Sequence, residues 1–363
     1  MKLLSSLKVL LLASTFFLSG LSEMLAQEKD SLKNTFLAYP LVFCLPETRY
    51  GAGLATSYNF RFNKKDTISP PTQIQFGGAY TQNKQILIYL PFDAYWRERK
   101  NQLSGEIGYY DYLYYFFGTQ EISQDFEESY SVRYPRFRIN YLRKIIPHVF
   151  AGARWWYDDF SIYRYQEDGT LAKGIIAGSG GGRSSGPGIV FNFDKRDNVY
   201  FSRKGHYLEL VYHNQDEVFA SNYNFTRYRF DYRYFQPFGK NMTLASQFFG
   251  DFMQGNVPFF QMTGIGGPKR MRGYIDGRYR DHQLLLAQTE WRHFLTRRWG
   301  YVLFASSALV EHQWSDFNFA YTKFAFGGGI RFAFDPEKKI NIRLDAAFGK
   351  NTSGFYLTVG ESF

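Results

Sequence analysis

Cysteine is almost missing from this chain: Cys44 is the single one in 363 residues, which excludes an intramolecular disulfide and any Cys₂ or Cys₄ metal site. Long apolar runs are scarce too. The one at the start, VLLLASTFFLSG (9–20), follows Lys2 and Lys8 and leads into a short stretch ending EMLA (23–26). It is shorter than the ~20 residues that span a bilayer as a helix, so residues 1–26 are expected to be a secretory signal cleaved after Ala26. No later segment is apolar enough to span as a helix, so a helical membrane protein is excluded. The net charge of +10 comes without helix-turn-helix or zinc-finger spacing, so no nucleic-acid partner is expected. Lipid and lipopolysaccharide phosphates, or an acidic partner, suit that charge better. The glycine-rich GSGGGRSSG (178–186) lacks the Gly-Lys-Ser/Thr of a phosphate loop and reads as a plain loop. The six histidines show no metal-ligand spacing along the chain, and no nucleophile–base set stands out. No enzyme, metal or cofactor is expected.

Aromatic residues are abundant: 38 Phe and 29 Tyr help make them 20% of the chain. They alternate with charge. In TRYRFDYRYF (226–235), Arg227, Arg229, Asp231 and Arg233 share one strand face, and Tyr228, Phe230, Tyr232 and Tyr234 the other. RFRINY (136–141) and NIRLDAAF (341–348) split the same way. Around a closed barrel in lipid, the aromatic face points outward and the charged face into the lumen. Counting such runs gives about sixteen strands, centred from residue 41 to residue 358. Tight connections such as PFGKN (237–241) and DPEKK (335–339) alternate with long polar ones at 116–130, 162–185, 255–282 and 311–321. The fold class is therefore all-β, a transmembrane antiparallel barrel of about sixteen strands, located in the bacterial outer membrane. It is expected over residues 37–363, after a short periplasmic segment at 27–36.

Three stretches carry more than periodicity. In FNFDKRDNVYFSRKGHYLELVY (191–212), a strand is followed by a turn with Asp194, Arg196, Asp197, Asn198 and Gly205. In GIGGPKRMRGY (264–274), Gly266 and Gly267 precede Met271, Arg272, Gly273 and Tyr274. The chain ends on GFYLTVGESF, an amphipathic run finishing at Phe363, which resembles the signal by which barrels are inserted into the outer membrane. Together and in this order they resemble the bacterial surface antigen superfamily of outer-membrane assembly and translocation barrels, the group of the central Bam and Tam subunits and the two-partner-secretion transporters.

The resemblance implies that the long loop after the eleventh strand folds back into the lumen, with Arg272 binding acidic side chains of the wall. Glu290 is the first candidate partner. Ser306 stands where the family often has a second carboxylate, which leaves Asp345 as a substitute. Ser202 replaces the family's turn proline, so a less rigid turn is expected. The resemblance also implies protein or lipid insertion or translocation, dependence on the insertion machinery for the barrel's own biogenesis, and a periplasmic or lipoprotein partner in place of the substrate-binding domains that precede the barrel in the family. A passive pore or structural barrel is the alternative. Pro40 and Pro46, each lacking a ladder donor, suggest a weak seam between first and last strands.

Overall fold

A computed structural model of the chain describes residues 34–45, 49–119, 127–336 and 340–363. The expected signal at 1–26, most of the segment at 27–36 and Pro46 lie outside the described residues. The first strands are β1 (Thr35–Leu45), β2 (Arg49–Phe60), β3 (Thr72–Thr81), β4 (Ile86–Trp96), β5 (Asn101–Phe116) and β6 (Glu128–Ile146). Then come β7 (Val149–Tyr165), β8 (Gly182–Asp194), β9 (Gly205–Gln215), β10 (Phe225–Phe238) and β11 (Met242–Gly255). Two short strands, β12 (Thr263–Ile265) and β13 (Tyr279–Asp281), form a hairpin of their own. The wall resumes with β14 (Gln283–Phe294), β15 (Trp299–Glu311), β16 (Lys323–Asp335), β17 (Ile340–Gly349) and β18 (Thr352–Val359).

Every wall strand pairs antiparallel with its neighbours in a sixteen-stranded sheet, so the expected barrel-type fold and strand number hold. Two expectations change. The first strand starts at Thr35, so the barrel begins before residue 37. The loops expected at 116–130 and 162–185 are shorter, because β6, β7 and β8 run further toward the outside. Among the described residues no backbone ladder joins β1 to β18.

The alternation produces a molecule with its polarity reversed. Phe137, Phe191, Phe248, Leu303, Phe326 and Phe348 lie on the outer surface, Phe326 at 64% exposure. Asp158, Arg227, Asp251, Glu290, Arg292, Arg331, Arg343 and Asp345 are buried inside. In water this arrangement would strand apolar area in solvent; in a bilayer the aromatic girdle is solvated by lipid and the charges pair in the lumen. Register makes that pairing possible. Arg229 on β10 stands opposite Asp251 on β11, and their side chains meet at 2.7 Å. Phe248, mid-strand and outward, tests the orientation: Phe248→Arg should cost about 2–4 kcal/mol in vesicle refolding equilibria, while Phe248→Leu is nearly neutral.

Candidate functional site

The connection from β11 to β14, residues 256–282, lies in the lumen. Its descending leg places Phe259 against Phe116, Tyr130 and Phe160 of β5 to β7. Its returning leg buries Ile265, Met271 and Tyr274 against Phe249, Leu284, Leu286 and Val310 of the opposite wall. Polar contacts fasten it between these points. Gln261 donates to Asp158 at 3.1 Å, Thr263 to Asp251 at 3.1 Å, and Gln288 and Arg343 donate to the carbonyls of Lys269 and Pro268.

At the tip, Gly266 and Gly267 open the turn with positive φ, and the main chain at Gly273 (φ +107) runs directly beside β17. A Cβ at Gly273 would stand 3.0 Å from the Phe348 carbonyl carbon, so both the dihedral and the close approach require glycine. Tyr356 on β18 receives the Gly273 N–H at 2.9 Å. Tyr274 packs on Gly349 and donates its hydroxyl to the Phe324 carbonyl at 3.1 Å.

Arg272 is thereby aimed between two strands. One guanidinium nitrogen donates to Asp345 and the other to Glu290, and the group lies 3.5 Å from the Phe304 ring centroid. The structure thus brings Arg272 to both acidic residues singled out in the sequence. Ser306, by contrast, donates only to the Ala325 carbonyl. The planar fork of arginine suits this bridge, because it can reach two carboxylates at once where a lysine ammonium is a single point charge.

The network extends beyond what sequence reasoning named. Asp345 also receives Arg331 at 2.5 Å and Arg343 at 3.2 Å, and Glu290 receives Arg292 at 2.7 Å. Gly329, directly across from Asp345, leaves the space these groups occupy; a Cβ there would come within 2.0 Å of the carboxylate. The run GGG (327–329) in β16 was the signal for this, since a glycine inside a strand marks close approach of another group.

The C-terminus corrects one expectation. Phe363 is not on the last strand: β18 ends at Val359, Gly360 turns at φ +84, and the final residues fold inward. Glu361 accepts from Arg331 at 2.8 Å, Ser362 donates to Glu290 at 2.6 Å, and the Phe363 carbonyl accepts from Arg292 at 3.2 Å. Burial opposes ionisation of Glu361, but Arg331 and Arg292 outweigh it and hold the carboxyl below the ordinary glutamate range. The ring of Phe363 packs on Phe235 and Ala245, inside the wall rather than toward lipid. Charge pairing and burial of the ring outweigh continuation of the ladder.

The turn at 194–205 closes the other end. Asp194 receives Arg196 through two nitrogens, each at 2.8 Å, and also Arg99 from the β4–β5 turn. Asp197 caps the N–H groups of Arg203 and Lys204, and Asn198 those of Tyr200 and Phe201. Gly205 (φ +111) sits where a Cβ would be 2.0 Å from the Lys195 carbonyl oxygen. Ser202, in place of proline, donates to the Asn198 carbonyl at 2.7 Å, so a hydrogen bond constrains the turn where a ring does not. Tyr200 then reaches across the periplasmic mouth to the Pro71 carbonyl at 2.9 Å.

A lumen loop held by an arginine on wall carboxylates, above such a turn, matches a known family: the Omp85 superfamily domain covers residues 47–363. The chain belongs to the Omp85 superfamily. It is a bacterial outer-membrane barrel of the assembly and translocation type. Among solved structures it is similar to BamA from Haemophilus ducreyi lacking POTRA domains 1–3 (TM-score 0.58, 10% identity), with 92% of this chain and 71% of that one covered. It is also similar to CdiB from Acinetobacter baumannii (TM-score 0.59, 10% identity, 90% of this chain and 59% of that one). CdiB from Escherichia coli gives the same score and identity, with 92% and 62% covered. This Omp85 chain therefore spans less than two thirds of the length of the CdiB structures. No curated protein matches it.

Proposed function

We propose that this Omp85 barrel inserts or translocates protein or lipid at the outer membrane, without enzymatic chemistry and together with a periplasmic or lipoprotein partner. The observation that carries the reading is the placement of Arg272 between β14 and β17 with the tail after β18 bound, through Ser362, to Glu290, one of the same two carboxylates. The loop and the last strand share one lock, so movement of β18 is mechanically tied to movement of the loop. The edge strands suit a seam that opens: Phe355 and Leu357 on β18 are 78% and 68% exposed, and Pro40 sits within β1. A passive pore is disfavoured by the loop 256–282, which lies in the lumen and packs against β5 to β7 on one side and β14 and β15 on the other.

The test is depletion of the chain in its own host, followed by measurement of outer-membrane protein and lipid content. A deficit restored by the wild type, but not by a chain carrying Phe36→Cys and Leu357→Cys, both on the outer face, crosslinked in a Cys44→Ser background, supports action through the seam. Restoration on reduction of the crosslink completes the expected result. Unchanged membrane content on depletion overturns the reading.

A further inference from the structure

The extracellular rim carries a polar cluster that the lumen lock does not use. β13 ends at Asp281, His282 joins it to β14, and His312 follows directly on the end of β15. Gln283 stands opposite Glu311 in the β14–β15 ladder, so one step outward sets His282 across from His312. Directly opposed positions on antiparallel strands bring Cβ atoms to about 4.5–5.5 Å. Here the two imidazole centroids are 4.4 Å apart. Asp281, fully buried, meets His312 Nδ1 at 2.8 Å and accepts the His282 backbone N–H at 2.8 Å. One ligand atom from each of the three residues lies within 4.8 Å of the other two.

We propose that Asp281, His282 and His312 form a transition-metal site of the zinc class at the extracellular rim of the barrel. Two imidazoles and a carboxylate are a donor set that borderline-soft divalent ions favour, with a fourth position left for water or an external ligand. Bonds of about 2.0–2.1 Å place tetrahedral ligand atoms about 3.3–3.5 Å from one another, between the shortest and longest separations found here. A bound ion takes the place of the proton between Asp281 and His312. The three ligands come from two places far apart in the chain, so no spacing rule reads them out.

The site also has a mechanical consequence. Asp281 ends the returning strand of the lumen hairpin, and His312 directly follows the wall strand β15. A bound ion therefore ties the loop to the rim at a point remote from Arg272.

The experiment uses the whole mature chain, purified in detergent without a histidine tag, stripped of metal, and titrated with Zn²⁺ against a chromophoric chelator. The wild type should bind a single ion per chain, raise its melting temperature on binding and protect the basic loop from trypsin. His282→Ala, His312→Ala and Asp281→Asn should each weaken binding about tenfold or more, at least the loss that removing an outer-shell partner of a metal ligand produces. His206→Ala, on β9, should leave binding unchanged. Heat-dependent gel mobility verifies that each variant is folded. If an alanine variant does not fold, His312→Gln, which retains a hydrogen bond to Asp281, provides the same reading. Folded wild type that takes up no Zn²⁺, or variants that bind as tightly as wild type, overturn the proposal.

Discussion

Glu290→Gln is expected to destabilise the folded barrel by about 3–5 kcal/mol, more than Arg272→Met does, although Arg272 carries the family motif. The reason is charge pairing in a buried cluster. Arg272, Arg292, Arg331 and Arg343 face the side chains of Glu290, Asp345 and Glu361, and Arg292 also reaches the Phe363 main-chain oxygen. Removing Arg272 leaves each carboxylate with another guanidinium, Arg292 on Glu290 and Arg331 and Arg343 on Asp345. Neutralising Glu290 leaves Arg292 without an acidic side chain and Arg272 with Asp345 alone. An uncompensated buried charge is the costly state, because the lumen wall replaces only part of the lost hydration. Urea titration of the two variants refolded into vesicles measures this; Arg272→Met proving the less stable would refute the charge-pairing account.

Gly273→Val is expected to expel the loop tip while leaving the wall assembled. A β-branched residue at φ +107 is strained by about 1–3 kcal/mol, and its Cβ also meets the Phe348 backbone at 3.0 Å. Overpacking of this kind adds about 1–3 kcal/mol. The loop can relieve both by lifting away, which withdraws Arg272 from Glu290 and Asp345. Single-channel recording should then show a conductance several times that of the wild type, and trypsin should cut between Lys269 and Arg280. Wild-type conductance and protection would mean that the tip tolerates a side chain.

Much of this protein could be read locally. Alternation in 226–235 and 341–348 assigns wall strands and their faces, because side-chain direction along a strand follows from parity alone. The same parity nominated Glu290 as lumen-facing beside Trp291, and the Arg-Gly-Tyr stretch marked the loop. Phe363 shows the limit. Its composition and position suited the end of an amphipathic last strand, yet pairing of Glu361 with Arg331 and Ser362 with Glu290 draws it inward. Those partners lie on β16 and β14, and no property of the tail itself names them. Ser202 is a second case: its hydroxyl constrains the turn only because the Asn198 carbonyl is placed to accept it.

The sequence alone determined the class of barrel, the strand number, the two faces and the glycine-dependent motifs, since each depends on residues within a few positions of one another. Only the tertiary structure decided which charges meet. Arg272, Glu290 and Asp345 converge from the loop, β14 and β17, and Asp281 and His312 from the two sides of the β14–β15 hairpin. Such pairings depend on register summed around the whole sheet, where a shift of one residue would turn every partner to the other face.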